Sequence, residues 1–146
     1  MPIGTSMQVS ASGLTAERLR LDVISNNLAN VNTTRDANGQ PYRRQVVVMT
    51  ARGAGFAGAL AQARRGGGAG NGVQVTSVHA DNSPFKIVHD PSHPDADAQG
   101  NVKMPNIEPV VEMVDMISAT RAYEAGVTAI NSAKQMESRA LDIGRA

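Results

Sequence analysis

Proline occurs seven times in this 146-residue chain, and its placement limits where helices can form. None of the seven lies between residues 3 and 40, and none follows Pro109. Proline breaks the interior of a helix because it lacks a backbone N–H and clashes with the preceding turn. The two ends of the chain can therefore each form one long helix, whereas the middle cannot.

Apolar side chains in the N-terminal segment follow two interleaved rows, each with a seven-residue repeat. The rows contain Met7, Leu14, Leu21, Leu28, Ile24 and Val31. This spacing is typical of a helix that packs along a seam, and it predicts a helix over about residues 5–31. The helix is expected to end in asparagines that favour turns and left-handed caps, namely Asn26, Asn27, Asn30 and Asn32.

Large and small side chains alternate along a seam in the C-terminal segment. Its members are Met116, Ala119, Tyr123, Gly126, Ile130, Ala133 and Ala140. Asn106 is a good N-cap and Pro109 suits a first turn, so a helix is predicted from there to about Ile143. Such a helix is roughly 55 Å long, more than the roughly 40 Å width of a compact domain of this size. Its uncovered apolar stripe predicts contact with another subunit.

The middle of the chain is predicted to be β-rich. β-Branched residues indicate strands at 42–50, 73–78 and 84–89, and three prolines favour a loop over 90–106. Eight of the 14 glycines lie in residues 53–72, which predicts a flexible loop.

These elements predict an α+β protein whose long N- and C-terminal helices pair as a coiled-coil-like hairpin beside a small β-rich middle domain. The predicted division is 1–33 for the N-terminal helix, 34–105 for the middle domain and 106–146 for the C-terminal helix.

The charge balance and the absence of cysteine argue against several classes of function. The 14 basic and 13 acidic residues leave a net charge of +1, which gives no support for a nucleic-acid or anionic membrane partner. The absence of cysteine excludes disulfides, thiolate zinc sites and a cysteine nucleophile. The sequence contains no long apolar run, and its first twelve residues lack the pattern of a secretory signal peptide.

One motif offers an enzymatic alternative. Gly53, Gly55 and Gly58 form G-x-G-x-x-G after a predicted strand, and Asp81 follows another strand, as in a dinucleotide-binding enzyme. However, Asp81 lies 28 residues after Gly53, whereas the ribose-binding acid of that motif lies about 20 residues on. A low-complexity glycine and alanine loop is therefore the favoured interpretation.

Residues 89–97, with the sequence HDPSHPDAD, concentrate histidine and aspartate in a spacing that could hold a metal. The stretch from Asp95 begins like an EF-hand loop, but its twelfth position is Asn106 rather than glutamate. Successive proline- and aspartate-based turns are favoured instead. No metal ligand, cofactor or catalytic residue is predicted.

Several segments resemble the rod and hook proteins of the bacterial flagellum. SGLTAERLRLDVISNNLANVNT at 12–33 is similar to the N-terminal signature of that family. DPSHPDAD at 90–97, with GQPYRR at 39–44 and EMVDMISATRAYE at 112–124, resembles its proximal-rod members. The positions that carry the resemblance include Asn26, Asn27, Asn30, Asn32, Asp90, Pro91, His93, Pro94 and Asp95.

The resemblance implies a structural subunit of the flagellar basal-body rod, the drive shaft that crosses the periplasm, with neither catalysis nor cofactor. It also implies paired terminal helices that self-assemble into concentric tubes, and type III export without a cleaved signal. The implied partners are copies of the chain, other rod proteins, the export apparatus and the export-gate or adaptor end of the basal body, with no nucleic acid and no membrane insertion. The two apolar rows would then lie at subunit interfaces.

Overall fold

Two long helices and two small antiparallel sheets make up the structure, a computed structural model that describes residues 3–36, 38–53 and 72–145. The elements are α1 (Ile3–Ala29), β1 (Gln45–Ala51), β2 (Val73–Ala80), β3 (Lys86–His89), β4 (Asn101–Met104) and α2 (Pro109–Arg145). The predicted α+β class is confirmed. Most of the predicted glycine-rich loop, residues 54–71, lies outside the described residues.

The two helices pack side by side and run antiparallel. Asn27 near the end of α1 contacts Glu112 near the start of α2, while Leu14 lies against Gly126 further along. Helix α2 has 37 residues and α1 has 27, so α2 continues past the start of α1. The uncovered part begins near residue 137 and is roughly 14 Å long, at 1.5 Å per residue.

The ends of both helices differ in detail from those predicted. α1 ends at Ala29, where Asn30 N–H donates to the Asn26 carbonyl at 3.1 Å. The predicted left-handed cap is wrong, since no non-glycine residue in the described ranges has a positive φ. At α2, Glu108 takes the N-cap position because its carbonyl accepts the first helical N–H, from Glu112 at 3.0 Å. The N-cap predicted at Asn106 is therefore wrong.

Each sheet consists of two antiparallel strands. In the first, Gln45 of β1 pairs with Ala80 of β2, and the register shifts between Val48 and Met49. In the second, β3 pairs with β4, a strand that lies inside the predicted loop over 90–106. That prediction failed because β4 depends on pairing across a turn, which local composition does not reveal.

The first sheet is tied to α1 at the beginning of β2. The Ser12 hydroxyl donates to the Val9 carbonyl at 2.7 Å and accepts the Val73 N–H at 3.0 Å. Gly72 has a φ of +89°, and a Cβ there would overlap the Ser12 side chain. The close approach of chain and helix therefore needs glycine at this position.

The hydrophobic core is divided among small groups of aliphatic side chains. Ala16, Val23 and Ile24 are buried on α1, Ala119 and Ala133 are buried on α2, and Val102 of β4 and Ile107 just before α2 are buried as well. Neither helix is long and apolar enough, within the described residues, to cross a membrane.

Gly126 leaves room for the Leu14 side chain between the two helices. A Cβ built at this position would lie 2.8 Å from Leu14 Cδ2 and 3.2 Å from Leu14 Cγ. The alternation of large and small residues predicted from the sequence thus serves contact with the chain's own α1 at this point.

Gly126→Val is expected to lower the free energy of unfolding by about 1–3 kcal/mol, because the added atoms overpack the helix contact. The matched control is Gly13→Val in α1, where a Cβ would meet nothing within 4 Å. Urea unfolding followed by helical circular dichroism measures both variants. Equal stabilities for the two variants would show that the close approach at Gly126 is unimportant.

Candidate functional site

The residues predicted as subunit interface lie mainly on the faces that the chain's own helices turn toward each other. Ile24, Ala119 and Ala133 are buried within the single chain. Ala119 lies seven residues from both Glu112 and Gly126, which contact α1. Met7, Leu14, Leu21, Leu28, Val31, Met116, Tyr123, Gly126 and Ile130 are half-buried, and Ala140 is exposed. A role for these residues between subunits stays a prediction.

Asn27 is the centre of a polar junction where α1, α2 and β1 meet. Its amide nitrogen donates to the Gln45 carbonyl at 2.9 Å and to Glu112 Oε2 at 3.0 Å. Its amide oxygen accepts the Gln45 N–H at 2.9 Å and the Tyr42 hydroxyl at 3.2 Å. Asn27 is only 1% exposed, and all four of its hydrogen-bonding positions are used.

Glu112 brings a buried carboxylate into the same junction. Its side chain is completely buried, and its second oxygen accepts the Arg44 Nε–H at 2.5 Å. A buried charge is costly unless it is paired and hydrogen-bonded, and Arg44 with Asn27 meets that need. The junction therefore fixes where β1 starts relative to both helices.

Further ion pairs surround the junction on its exposed side. Arg44 lies 3.5 Å from Asp115 and 4.0 Å from Asp81, and Arg20 of α1 lies 3.4 Å from Asp115. These pairs are partly exposed, so each contributes little by itself. Together they keep the Arg44 side chain directed toward Glu112.

Asn106 extends the junction to the segment between the sheets. Its side-chain amide oxygen accepts the Arg44 backbone N–H at 3.0 Å, and its side-chain amide nitrogen donates to the Ser83 hydroxyl at 2.8 Å and the Asp81 backbone carbonyl at 3.1 Å. This use of the side chain explains why Asn106 does not cap α2.

The signature aspartates of residues 90–97 stabilise turns and connect the second sheet to the end of α1. Asp95 accepts the Thr34 hydroxyl at 2.7 Å and pairs with Arg35 at 3.0 Å. Asp90 accepts both the hydroxyl and the N–H of Ser92, and these hydrogen bonds lower the pKa of its carboxyl. His93 Nδ1 accepts the Asp95 N–H at 3.1 Å.

The remaining signature positions are mostly exposed and contribute fewer hydrogen bonds. Asn30 donates to the Asn26 carbonyl at 2.9 Å, and Asn26 and Asn32 are exposed. Pro91 and Pro94 are exposed in the same turn segment as the signature aspartates.

The histidine and aspartate side chains considered for a metal site form hydrogen bonds within these turns instead. Asp97 accepts the N–H groups of Gln99 and Asn101 at 2.9 and 2.8 Å. His89 Nδ1 lies 3.2 Å from the side-chain oxygen of Asn101. Among the described residues, no three histidine, aspartate or glutamate side chains come together as metal ligands.

The geometry of the strands contradicts the dinucleotide-binding alternative. β1 and β2 are antiparallel neighbours, whereas that motif needs parallel strands joined by a crossover helix. The Asp81 carboxylate accepts the Ser83 N–H at 2.9 Å, and this hydrogen bond is the main reason that its pKa is lowered. Gly53 is exposed, while Gly55 and Gly58 lie outside the described residues.

α2 presents an apolar surface on the side opposite its contact with α1. Val110 is 62% exposed and Ile117 is 55% exposed, with Met113 and Val114 also exposed between them. At the far end, Leu141 and Ile143 are 64% and 78% exposed on the part of α2 that passes α1. Sequence reasoning missed Val110, Val114 and Ile117, although they follow helical spacing as regularly as the buried seam.

Comparison with known proteins identifies the family. The profile for the flagella basal body rod protein matches residues 7–35, and the profile for the C-terminal part of flagellar basal body rod FlgEFG proteins matches residues 98–143. The chain is 50% identical to the flagellar basal-body rod protein FlgC of Bacillus subtilis, over 96% of this chain and 97% of the relative. It is 48% identical to that of Borreliella burgdorferi, over 98% of both chains, and 39% identical to that of Salmonella typhimurium, over 94% of both.

The chain belongs to the FlgC family of flagellar basal-body rod proteins. It is a structural subunit of that rod rather than an enzyme, and the FlgC relatives favour this function over dinucleotide binding. The junction around Asn27 is built from the segments whose resemblance pointed to the family.

Asn27→Asp is expected to lower the free energy of unfolding by at least about 2 kcal/mol, because it removes two donors and places a second carboxylate beside Glu112. The control is Asn26→Asp, an exposed neighbour in the same helix, whose effect should stay within about 0.5 kcal/mol. Chemical denaturation at neutral pH compares the two. Equal losses from both variants would show that the junction does not hold the helices.

Tyr42 gives the junction a pH dependence at the alkaline end. Burial, and then the charge of Glu112, raise the pKa of its phenol above 10.0. The folded state therefore favours the neutral phenol. This contribution to the free energy of unfolding is fully present below about pH 10, the pKa of a tyrosine in the unfolded chain, and is lost as the pH rises through the higher pKa of Tyr42 in the folded chain. Tyr42→Phe should therefore lose less stability than the natural chain when denaturation is repeated above that pH. An equal loss in both proteins would contradict the assignment.

Proposed function

We propose that this chain forms part of the drive shaft that crosses the periplasm, and that its terminal helices are the segments that build the shaft. In this proposal residues 1–33 and 106–146 assemble with other subunits, and residues 34–105 form a middle domain further out. Membership of a rod-protein family supports the proposal. The observation that carries it is the exposed apolar surface of α2, which leaves the hydrophobic core of a single chain incomplete.

The helix pair is proposed to act as a coiled-coil-like hairpin. The contact of Gly126 with Leu14 near the middle of the pair, and the buried junction at one end, support a stiff unit in which the two helices cannot slide past each other. Transmission of torque needs such stiffness, because a compliant contact would twist instead of turning the next subunit.

The proposed neighbours are copies of this chain, other rod proteins and the export-gate or adaptor end of the basal body. The proposed route is the type III export apparatus, without a cleaved signal peptide, as the family resemblance implies. The net charge of +1 is consistent with a protein partner rather than nucleic acid.

The part of α2 that passes α1 is expected to be needed for assembly and not for folding. Leu141→Asp should abolish swimming while leaving unfolding unchanged within about 0.5 kcal/mol, because Leu141 is already exposed in the single chain. Asn82→Asp, which adds the same charge in an exposed segment between the sheets, is the control and should swim normally.

Both variants are tested by expression in a flagellated host that lacks its own protein of this family, with swimming in soft agar as the readout. Purified basal bodies are then probed for the chain. Normal swimming by Leu141→Asp would contradict a role for this end of α2. Absence of the natural chain from basal bodies would overturn the proposed function itself.

A further inference from the structure

A groove runs between α1 and the outer edge of the first sheet. Its volume is about 450 Å³, and it lies beside the first residues of β2. Leu19 of α1 lines the groove and lies about 140° around the helix from Leu14, the residue that contacts α2. The groove therefore opens on a side of α1 that faces away from α2.

The edge of β2 that borders this groove has backbone groups free to pair with another strand. The Gly72 carbonyl accepts the Arg52 N–H and so points toward β1, whereas the N–H of Val73 points outward and donates to Ser12. Alternation along an antiparallel strand directs the N–H and carbonyl of Val75 outward as well. Among the described residues, none hydrogen-bonds to these two groups of Val75. Ser12 thus occupies one position of the edge, and the next position is open.

The floor of the groove is apolar. Leu19 is 36% exposed, and Val73 and Val75 are half-buried beside it. An open strand edge next to uncovered aliphatic side chains suits an extended segment, which pairs through its backbone and packs its side chains into the groove. The shape of this surface therefore favours a strand as its occupant.

The rim of the groove is basic. Arg18 lies on α1 and Arg52 directly follows β1, and in the described part of the chain neither guanidinium has an ion-pair partner. The lining also includes the carboxylate of Asp22, so two cations stand against one anion. Charges across an interface are arranged with opposite signs. The occupant of the groove is therefore expected to be acidic.

We propose that the groove binds an extended, acidic segment of a neighbouring basal-body subunit, which adds to the free edge of β2 as a third strand. An aliphatic side chain of that segment packs on Leu19 and Val75, and the acidic side chains beside it pair with Arg18 and Arg52. The inference rests on the proposed function only in naming where the partner is found.

The structure of the first sheet also limits the length of this contact. The register shift opposite Val48 and Met49 leaves Thr76 without a residue across from it, and such a bulge ends regular pairing. The free edge is thus confined to the beginning of β2. A sheet of two strands is at most marginally stable by itself, and a short third strand at Val75 stabilises the end of the sheet that Ser12 ties to α1.

A synthetic peptide provides the first test. The labelled peptide Glu-Val-Glu-Val-Glu is titrated with the purified full-length chain and followed by fluorescence anisotropy, with Lys-Val-Lys-Val-Lys as its control. The acidic peptide is expected to bind at least about tenfold more tightly than the basic one, and to weaken as salt is added. Equal binding of the two peptides would overturn the inference.

Charge variants test the rim. The double variant Arg18→Glu, Arg52→Glu is expected to bind the acidic peptide at least about tenfold more weakly, because the groove then repels it. The control is the double variant Lys86→Glu, Lys103→Glu, at exposed positions of the second sheet, which should bind within about twofold of the natural chain. Equal losses in the two double variants would contradict a specific role for the groove.

A proline variant tests the strand edge. Val75→Pro removes the N–H that points outward, and proline is tolerated at such a position of an edge strand. It is expected to abolish saturable binding of the acidic peptide, whereas Val75→Thr keeps the N–H and a similar shape and should bind within about threefold of the natural chain. Circular dichroism of each variant establishes that the fold is retained. Binding by Val75→Pro equal to that of Val75→Thr would show that no strand is added at this edge.

Cross-linking in assembled basal bodies identifies the natural occupant. The photoreactive amino acid p-benzoylphenylalanine replaces Leu19, and mass spectrometry of the irradiated product is expected to show a segment of another subunit in which acidic and aliphatic residues alternate. No product, a product joined only to residues 54–71 of the same chain, or a product joined to a terminal helix of a second copy would overturn the inference.

The outcomes separate this inference from the proposed function. The natural chain present in basal bodies, with no preference for the acidic peptide, would overturn the groove proposal alone. Absence of the natural chain from basal bodies would overturn the rod function, whereas tight binding of the acidic peptide would still support the groove as a docking surface.

Discussion

The four hydrogen bonds of Asn27 determine how the rest of the molecule is arranged. One buried amide joins the end of α1 to the backbone of β1 and to the Glu112 carboxylate on α2. Loss of one partner would leave a buried polar group unsatisfied, and for Glu112 a buried charge. Apolar packing along a helix tolerates small slips, whereas this junction accepts one register. The relative positions of the two helices and the first sheet follow from it.

A fixed helix pair leaves a defined surface for other subunits. The inner faces of α1 and α2 largely cover each other, whereas the exposed valines of α2 and the end that carries Leu141 are apolar surface that the single chain leaves uncovered. Only 3% of the residues are aromatic, and the core of the single chain is correspondingly divided and small. We propose that neighbouring rod subunits complete that core.

The helices could be predicted from sequence because their signals are local. Proline placement and seven-residue repeats gave both helices to within a few residues, and the asparagine-rich signature pointed to the family. Asn106 and β4 could not be predicted in the same way, because an asparagine before a proline-led helix looks like a cap until its distant partner Arg44 is known. The seven-residue apolar rows also left one question open, namely which chain covers them. Periodicity shows that Ala119 is buried, but not whether α1 of the same chain or another subunit covers it.

An image of the assembled basal body at side-chain resolution tests the central claim most directly. We expect Asn27 within hydrogen-bonding distance of Glu112 in every copy of the chain, and Val110 to Ile117 of α2 buried against another subunit. A rod in which the junction is intact and this surface of α2 faces solvent would contradict the claim that the rod completes the hydrophobic core of the chain.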